Sequence, residues 1–198
     1  PSTYTIRVIG NPSCNALDTT VTIRASNPIS LVNFSDSIMV NCANDPGELM
    51  LRVNGDYSFK YELNNDGNQV SFESQGSHLI TGLIASQTGN TYDLKIIDRN
   101  GCELKDKSFT VYAPEPLTNT PPEITPVSCY GYRDGRVEVS VSGGSPNYMA
   151  TMGTRTEAAN ADGIIVFENV AHSTTAYLMT ITDSKGCPID DIEVLVEQ

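Results

Sequence analysis

The chain repeats a short motif, and this repetition limits its fold more than any other feature of the 198 residues. In each copy a tyrosine begins an alternating run, and a cysteine follows ten residues later. The copies are Tyr4 with Cys14, Tyr92 with Cys102, and Tyr177 with Cys187. The three cysteines lie 88 and then 85 positions apart, so we predict tandem modules of about 85 residues.

A second motif recurs with a similar period. Cys42 precedes an alternating run at residues 47–55, and Cys129, which lies 87 positions later, precedes a matching run at residues 135–143. Several prolines lie near residue 115, where proline blocks strand pairing and keeps a connector extended. The predicted domains are residues 1–28, the C-terminal strands of a truncated repeat, and residues 29–115 and 116–198, two complete repeats.

The apolar residues within each module recur with a period of two, which is typical of half-buried β-strands. Val137, Val139 and Val141, for example, alternate with polar residues. Turn-forming clusters such as residues 98–101 and 142–146 separate these runs. About seven short strands per module predict an all-β fold, with tandem immunoglobulin-like β-sandwich repeats in an elongated array.

The charge of the chain excludes several classes of partner. With 24 acidic and 12 basic side chains, its net charge of −12 argues against binding to nucleic acid or to an anionic membrane surface. No apolar run approaches the roughly 20 residues of a membrane span. No signal-peptide pattern is present, so we expect a mature chain or an internal piece.

The sequence carries no arrangement of residues that predicts catalysis. It has no nucleophile elbow, no glycine loop for phosphate and no His-Glu-x-x-His motif. The two histidines, His78 and His172, belong to different modules and lie near no obvious nucleophile. We therefore predict that the chain is not an enzyme.

The motifs together resemble the SprB-type repeat of Bacteroidetes gliding and cell-surface adhesins. The third module carries Val-Ser-Cys at 127–129, Gly-Gly-Ser-Pro-Asn-Tyr at 143–148 and Asp-Ser-Lys-Gly-Cys at 183–187. The middle module keeps the final Asp-x-x-Gly-Cys but has Asn-Gly-Asp at 54–56 in place of the Gly-Gly turn. Related secreted repeats of the same phylum, including PKD-like ones, share the cysteine marks.

The resemblance implies a structural stalk or filament segment of a large secreted adhesin that serves gliding motility or surface attachment. It further implies export by type IX secretion and attachment to the outer membrane at the cell surface. The expected partners are neighbouring repeats of the same chain, extracellular polysaccharide and the surface-attachment machinery. The alternative is a ligand-binding module that grips a glycan or a protein through its inter-strand loops.

Two cysteines per module indicate disulfides formed in an oxidising compartment. Zinc is disfavoured because Cys-x-x-Cys is absent. The favoured pairs are Cys42–Cys102 and Cys129–Cys187, which leaves Cys14 unpaired. Strand counting leaves an alternative open, because the turn after the first strand and the last hairpin turn lie at opposite poles of a sandwich. A bond from Cys42 to Cys187 of the next module would then form instead.

Two further kinds of site have weaker signals. Asp98, Asn100 and Asp183 resemble fragments of calcium loops, although an Asp that caps its own turn explains the same residues. No other cofactor is expected. Thr19 and Ser37 follow aspartates in a motif that resembles the O-glycosylation sites known in this phylum, although ordinary strand-edge hydroxyls are the favoured interpretation.

Overall fold

The computed structural model describes residues 1–9, 17–56, 58–64, 66–72 and 76–198. Cys14 therefore lies outside the described residues. Within these ranges the regular structure consists of β-strands, and the sequence of the strands along the chain is as follows. The strands are β1 (Ser2–Val8), β2 (Leu17–Ile23), β3 (Ser30–Leu31), β4 (Ser37–Met39), β5 (Gly47–Asn54), β6 (Phe59–Leu63), β7 (Val70–Phe72), β8 (Ser77–Leu83), β9 (Asn90–Asp98), β10 (Glu103–Tyr112), β11 (Thr118–Asn119), β12 (Glu123–Thr125), β13 (Gly135–Ser142), β14 (Met149–Met152), β15 (Arg155–Ala158), β16 (Ile164–Val170), β17 (Tyr177–Thr182) and β18 (Pro188–Val194).

The strands follow from the period-two pattern of the sequence. Along β5, residues alternate strictly between buried and exposed, and Leu49, Leu51 and Val53 are on the buried face. Strand β13 repeats this arrangement with Val137, Val139 and Val141 buried. Successive side chains of an extended strand point to opposite faces, so the apolar set of each strand faces one core.

The chain divides into two compact units. The first contains residues 1–34, 50–79 and 93–107, and the second contains residues 35–49, 80–92 and 108–198. The division does not follow the predicted repeats, whose boundaries at residues 28 and 115 stay a prediction.

In the first unit, β1 and β2 form an antiparallel hairpin in which Ser2 lies opposite Ile23 and Val8 opposite Leu17. Strand β3 pairs with β5, and β6 pairs with both β7 and β9. The buried side chains come from different sheets, because Leu51 lies on β5 whereas Phe59 and Ile96 lie on β6 and β9. Their burial removes apolar surface from water, which is the main term that stabilises such a sandwich.

In the second unit, β13 pairs with β11, β12 and β16, and a separate sheet has the order β15-β14-β17-β18. Both sheets contribute to one core, in which Val137 and Phe167 meet Met179 and Ile181 with no exposed surface. Two antiparallel sheets packed through their apolar faces form a β-sandwich. The prediction of an all-β, immunoglobulin-like sandwich is confirmed.

Strand β4 also belongs to the second unit and has an unusual pairing. It pairs in parallel with the C-terminal end of β10, with Ser37 opposite Thr110 and Met39 opposite Tyr112. Beyond this pairing, the N–H of Val40 donates to the Tyr112 carbonyl at 3.0 Å. The chain therefore leaves β4 next to the end of β10, and this placement decides where Cys42 lies.

Candidate functional site: the cysteine turns

The turn between β9 and β10 is built around Asp98. Its Oδ1 atom accepts the backbone N–H groups of Asn100 and Cys102, each at 2.8 Å. The N–H of Asp98 donates to the Cys102 carbonyl at 3.0 Å, which closes the hairpin. Gly101 has φ of 80°, a left-handed conformation that suits glycine. The other oxygen, Oδ2, is buried and has no hydrogen-bond partner within the described residues.

The turn between β17 and β18 has the same backbone. Oδ1 of Asp183 accepts the N–H groups of Lys185 at 2.8 Å and Cys187 at 2.9 Å. Gly186 has φ of 83°, close to that of the first turn. One contact is additional, because Oδ2 of Asp183 accepts the N–H of Ser145 at 2.8 Å. Both carboxylate oxygens of Asp183 are therefore occupied by backbone donors.

These donors determine the ionisation of Asp183. Burial raises the pKa of its carboxyl group, but the N–H groups of Ser145, Cys187, Lys185 and Gly186 favour the charged form and together lower the pKa below its ordinary value. The carboxylate thus acts as a charged cap for a turn that carries a cysteine.

The capping contacts bear on the three calcium candidates. A carboxylate oxygen that accepts backbone N–H groups directs its lone pairs at those donors. Calcium needs oxygen ligands whose lone pairs point at the ion instead. The side-chain amide of Asn100 donates to Asp56 at 3.0 Å. In the described part of the chain, no group of three or more His, Cys, Asp or Glu residues is placed to hold a metal ion. Asp98, Asn100 and Asp183 stay candidates for calcium binding, and the capped turn stays the favoured interpretation.

Cys42 and Cys129 begin similar turns in front of β5 and β13. The Cys42 carbonyl accepts the N–H of Asp45 at 3.0 Å, and the Asp45 side chain accepts the Cys42 N–H at 3.0 Å. The Cys129 carbonyl accepts the N–H of Tyr132 at 3.1 Å.

The second of these turns has an additional aspartate cap. The Asp134 side chain binds the hydroxyl and the N–H of Ser128, and these two bonds lower the pKa of Asp134. A carboxylate therefore fixes the backbone immediately before Cys129.

The structure contains a disulfide between Cys42 and Cys187, with the two Cα atoms 5.5 Å apart. Cys187 Sγ also lies 3.5 Å from the Asn41 carbonyl oxygen. Cys102 and Cys129 are free and exposed. The favoured pairs, Cys42–Cys102 and Cys129–Cys187, are therefore wrong, and the alternative pair Cys42–Cys187 is the one that forms.

The correction has a geometric cause in β10. Cys102 immediately precedes this ten-residue strand, whereas Cys42 follows the strand that pairs with its last three residues. Ten extended residues span roughly 30 Å, and a disulfide needs Cα atoms within about 7 Å.

The same argument separates Cys129 from Cys187. The Val127 N–H donates to the carbonyl of Glu197, beyond the end of β18, whereas Cys187 lies before β18 begins. The seven residues of this strand span roughly 20 Å, so the two sulfur atoms cannot meet.

The two candidate glycosylation sites lie on exposed strand positions. Thr19 lies on β2 opposite Ile6, and Ser37 begins β4 opposite Thr110. Both residues are exposed, so a modifying enzyme is able to reach them. Thr19 and Ser37 stay candidates for glycosylation, and ordinary strand-edge hydroxyls stay the favoured interpretation.

The two antiparallel sheets packed around one core give the chain an immunoglobulin-like β-sandwich fold. More specifically, residues 122–149 match the family model described as SprB repeat. The matched segment contains β12, the turn that begins with Cys129, the whole of β13 and the Gly-Gly-Ser-Pro turn. The resemblance to SprB-type repeats is confirmed.

Solved structures that are similar to the chain share little sequence with it. One is a C-terminal 282-residue fragment of intimin, solved with the intimin-binding domain of its translocated receptor, at 12% identity and a TM-score of 0.43. Another is a structure of three titin immunoglobulin domains, at 11% identity and a TM-score of 0.47. The alignments cover 88% and 87% of this chain, which spans only 65% and 66% of those two chains.

The FN1–FN3 domains of chicken CNTN1 are also similar, at 11% identity and a TM-score of 0.38, over 99% of this chain and 78% of that one. Likeness at this level concerns the fold alone. No match was found among curated proteins. Among the described residues, no helix has the length and apolar character needed to cross a membrane.

Proposed function

We propose that the chain is a structural segment of the stalk or filament of a large secreted cell-surface adhesin. The observation that carries this proposal is the disulfide between Cys42 and Cys187, which ties residues 29–115 to residues 116–198. A covalent tie between successive repeats stabilises an array, because it limits the freedom of the two repeats to separate. Disulfides persist in oxidising, extracellular environments, so the bond also supports a cell-surface location.

The N-terminal hairpin supports the proposed division into repeats. Ile6 and Val8 of β1 are 48% and 56% exposed, whereas Met179 and Ile181, at the matching positions of β17, are fully buried. The matching apolar positions are thus buried in the C-terminal hairpin and exposed to solvent in the N-terminal one. We infer that residues 1–28 are the last strands of another repeat, whose remaining strands cover this apolar face.

The surface chemistry agrees with a spacer. The net charge of −12 favours a solvated, self-repelling surface. In this role the partners of the segment are the neighbouring repeats of its own chain. Extracellular polysaccharide or the attachment machinery engages other parts of the adhesin, which is exported by type IX secretion, held at the outer membrane and used for attachment or gliding.

Antibody labelling of intact cells tests the location. Antibodies raised against the purified chain are expected to label unpermeabilised cells, and brief treatment with an external protease is expected to remove the label. An antibody against a periplasmic protein is the control and must stay negative on the same cells. Labelling that requires permeabilisation contradicts the proposal.

A second candidate function is ligand binding through the inter-strand loops, and one observation favours it. Tyr130 and Tyr132, in the turn that precedes β13, are 88% and 58% exposed. Exposed tyrosines supply rigid, amphipathic contact area for a glycan or a protein. If this is the function, the chain binds surface polysaccharide in a pull-down, and a Tyr130→Ser/Tyr132→Ser variant loses that binding. A pure spacer shows no binding before or after the substitution.

A further inference from the structure

We propose that the disulfide between Cys42 and Cys187 is one rung of a directional ladder. In this ladder the cysteine that begins a repeat bonds to the turn cysteine of the following repeat. Cys129 and Cys102 are then two half-sites of opposite type, which take further SprB-type repeats of the same chain as partners. The inference rests on the proposed tandem array and adds a covalent link at each junction.

Cys129 has the local structure of Cys42. Each lies two residues after a buried valine, Val40 or Val127. The N–H of Val40 donates to the last residue of β10, and the N–H of Val127 donates to Glu197, three residues beyond the end of β18. Each carbonyl then accepts the N–H three residues on, at 3.0 or 3.1 Å. We call these two the start cysteines. The two start cysteines share these two backbone bonds, but the Cys129 thiol is exposed and unbonded.

Cys102 has the local structure of Cys187. The backbone N–H of each cysteine donates to the Oδ1 atom of the aspartate four residues earlier, at 2.8 Å for Cys102 and 2.9 Å for Cys187. Both carbonyls accept the N–H of that same aspartate, at 3.0 and 3.2 Å. We call these two the turn cysteines. Cys187 is 7% exposed in its disulfide, whereas Cys102 is an exposed free thiol.

The observed bond gives the ladder its direction. The start cysteine, Cys42, precedes its turn partner, Cys187, by 145 residues. A start cysteine therefore reaches a turn cysteine that lies C-terminal to it. A bond between Cys129 and Cys102 reverses this order, so the two free thiols are not partners for each other. Cys129 requires the turn cysteine of a following repeat, and Cys102 requires the start cysteine of a preceding one.

The bond formation is balanced with a glutathione redox couple. The Cys129 thiol loses a proton, and its thiolate attacks oxidised glutathione and releases one glutathione thiolate. The turn-cysteine thiolate of the partner repeat then attacks the Cys129 sulfur and releases the second. Two protein thiols lose two protons and two electrons in total, and one oxidised glutathione becomes two reduced molecules. Cys102 and Cys129 are both exposed, so the oxidant is able to reach the thiol of each half-site.

The first test uses the full-length protein from its native cells, alkylated with N-ethylmaleimide before lysis. Non-reducing peptide mapping is expected to show Cys129 bonded to a peptide with the Asp-x-x-Gly-Cys pattern. Cys102 is expected to be bonded to a start-cysteine peptide. Recovery of Cys102 and Cys129 as alkylated thiols, or bonded to each other, overturns the ladder. The labelling of intact cells is a separate readout, so the proposed function can fail while the ladder stands, and the reverse.

The second test supplies the missing partner directly. A copy of residues 116–198 that carries Cys129→Ser is appended after Gln198, and the longer chain is oxidised with oxidised and reduced glutathione. Each turn cysteine is then the only cysteine of its tryptic peptide, and the two peptides differ in mass because the first continues into the appended copy. The expected links are Cys42 to the first turn cysteine and Cys129 to the appended one, so N-ethylmaleimide no longer labels Cys129.

Two control chains make this result specific. A Cys129→Ser substitution in the first copy is expected to leave the appended turn cysteine free and the Cys42–Cys187 link intact. The 198-residue chain treated in parallel is expected to keep both Cys102 and Cys129 open to labelling. The ladder is wrong if the appended turn cysteine stays free while Cys42–Cys187 forms.

Discussion

The turns at Cys102 and Cys187 have nearly the same backbone but different surroundings. In both, an aspartate Oδ1 atom accepts two N–H groups, and a glycine has φ of 80° or 83°. Asp183 also accepts the N–H of Ser145, and its turn cysteine is bonded to Cys42. Among the residues that the structure describes, Asp98 has a buried oxygen without a partner, and its turn cysteine is free. Local sequence thus determines the backbone of the turn, and distant segments determine which further contacts its aspartate and its cysteine make.

Substitution of the cysteines is expected to give the largest difference between the two turns in the free energy of unfolding. A Cys42→Ser substitution removes a cross-link across 145 residues, which the chain-entropy model values at about 5 kcal/mol, with 2–4 kcal/mol more usual in practice. Urea unfolding monitored by circular dichroism measures this loss. The matched variant Cys102→Ser removes an exposed free thiol and is expected to stay within about 0.5 kcal/mol of the parent. Equal losses of stability in the two variants contradict the predicted difference between the two turns.

Substitution of the two aspartates is expected to give a smaller difference in the free energy of unfolding. Asp183→Ala leaves three N–H donors without their acceptor, and we expect a loss of about 2–3 kcal/mol. Asp98→Ala leaves two such donors and also removes the unpartnered oxygen, so we expect about 1–2 kcal/mol. Urea midpoints at neutral pH compare the two variants. A larger loss in Asp98→Ala reverses the predicted order.

The pH dependence of stability sharpens the role of the Asp183 charge. Because the folded pKa of Asp183 is below its unfolded value of about 3.9, its contribution is fully present above that pH and is lost as pH falls through the folded pKa. The stability gap between the parent and Asp183→Asn should therefore shrink on acidification below about pH 4. Urea midpoints across this range measure the gap, and Asp162→Asn, at an exposed turn position, serves as the control. A gap that grows on acidification contradicts this assignment.

The smallest effect is expected from removal of divalent cations. Since the Asp98 and Asp183 Oδ1 atoms each accept backbone N–H groups, excess EDTA should leave the melting temperature unchanged. Differential scanning calorimetry with and without added calcium measures this. A melting temperature that falls with EDTA and returns with calcium indicates that these aspartates bind the ion.

The sequence predicts the parts of this molecule that depend on short-range pattern. The alternation in β13 gave its buried face, and the Asp-x-x-Gly-Cys motif gave a capped turn at Asp183. The disulfide depended instead on the parallel pairing of β4 with the end of β10. That pairing joins segments about seventy residues apart, and a three-residue strand carries no local signal for its partner. The contact between Ser145 and Asp183 escaped prediction for the same reason, because it joins two separate loops.

The position of the disulfide also determines how the chain responds to a mechanical pull. If the segment is stretched from its ends, tension passes from Cys42 to Cys187 through the sulfur bridge and bypasses the 145-residue stretch between them. That stretch would extend to roughly 490 Å if it unravelled, at about 3.4 Å per residue. While the bridge is intact this length cannot be extended, whatever happens to the β-sheets within it. After reduction of the bridge, the packed core of the β-sandwich has to resist the pull instead.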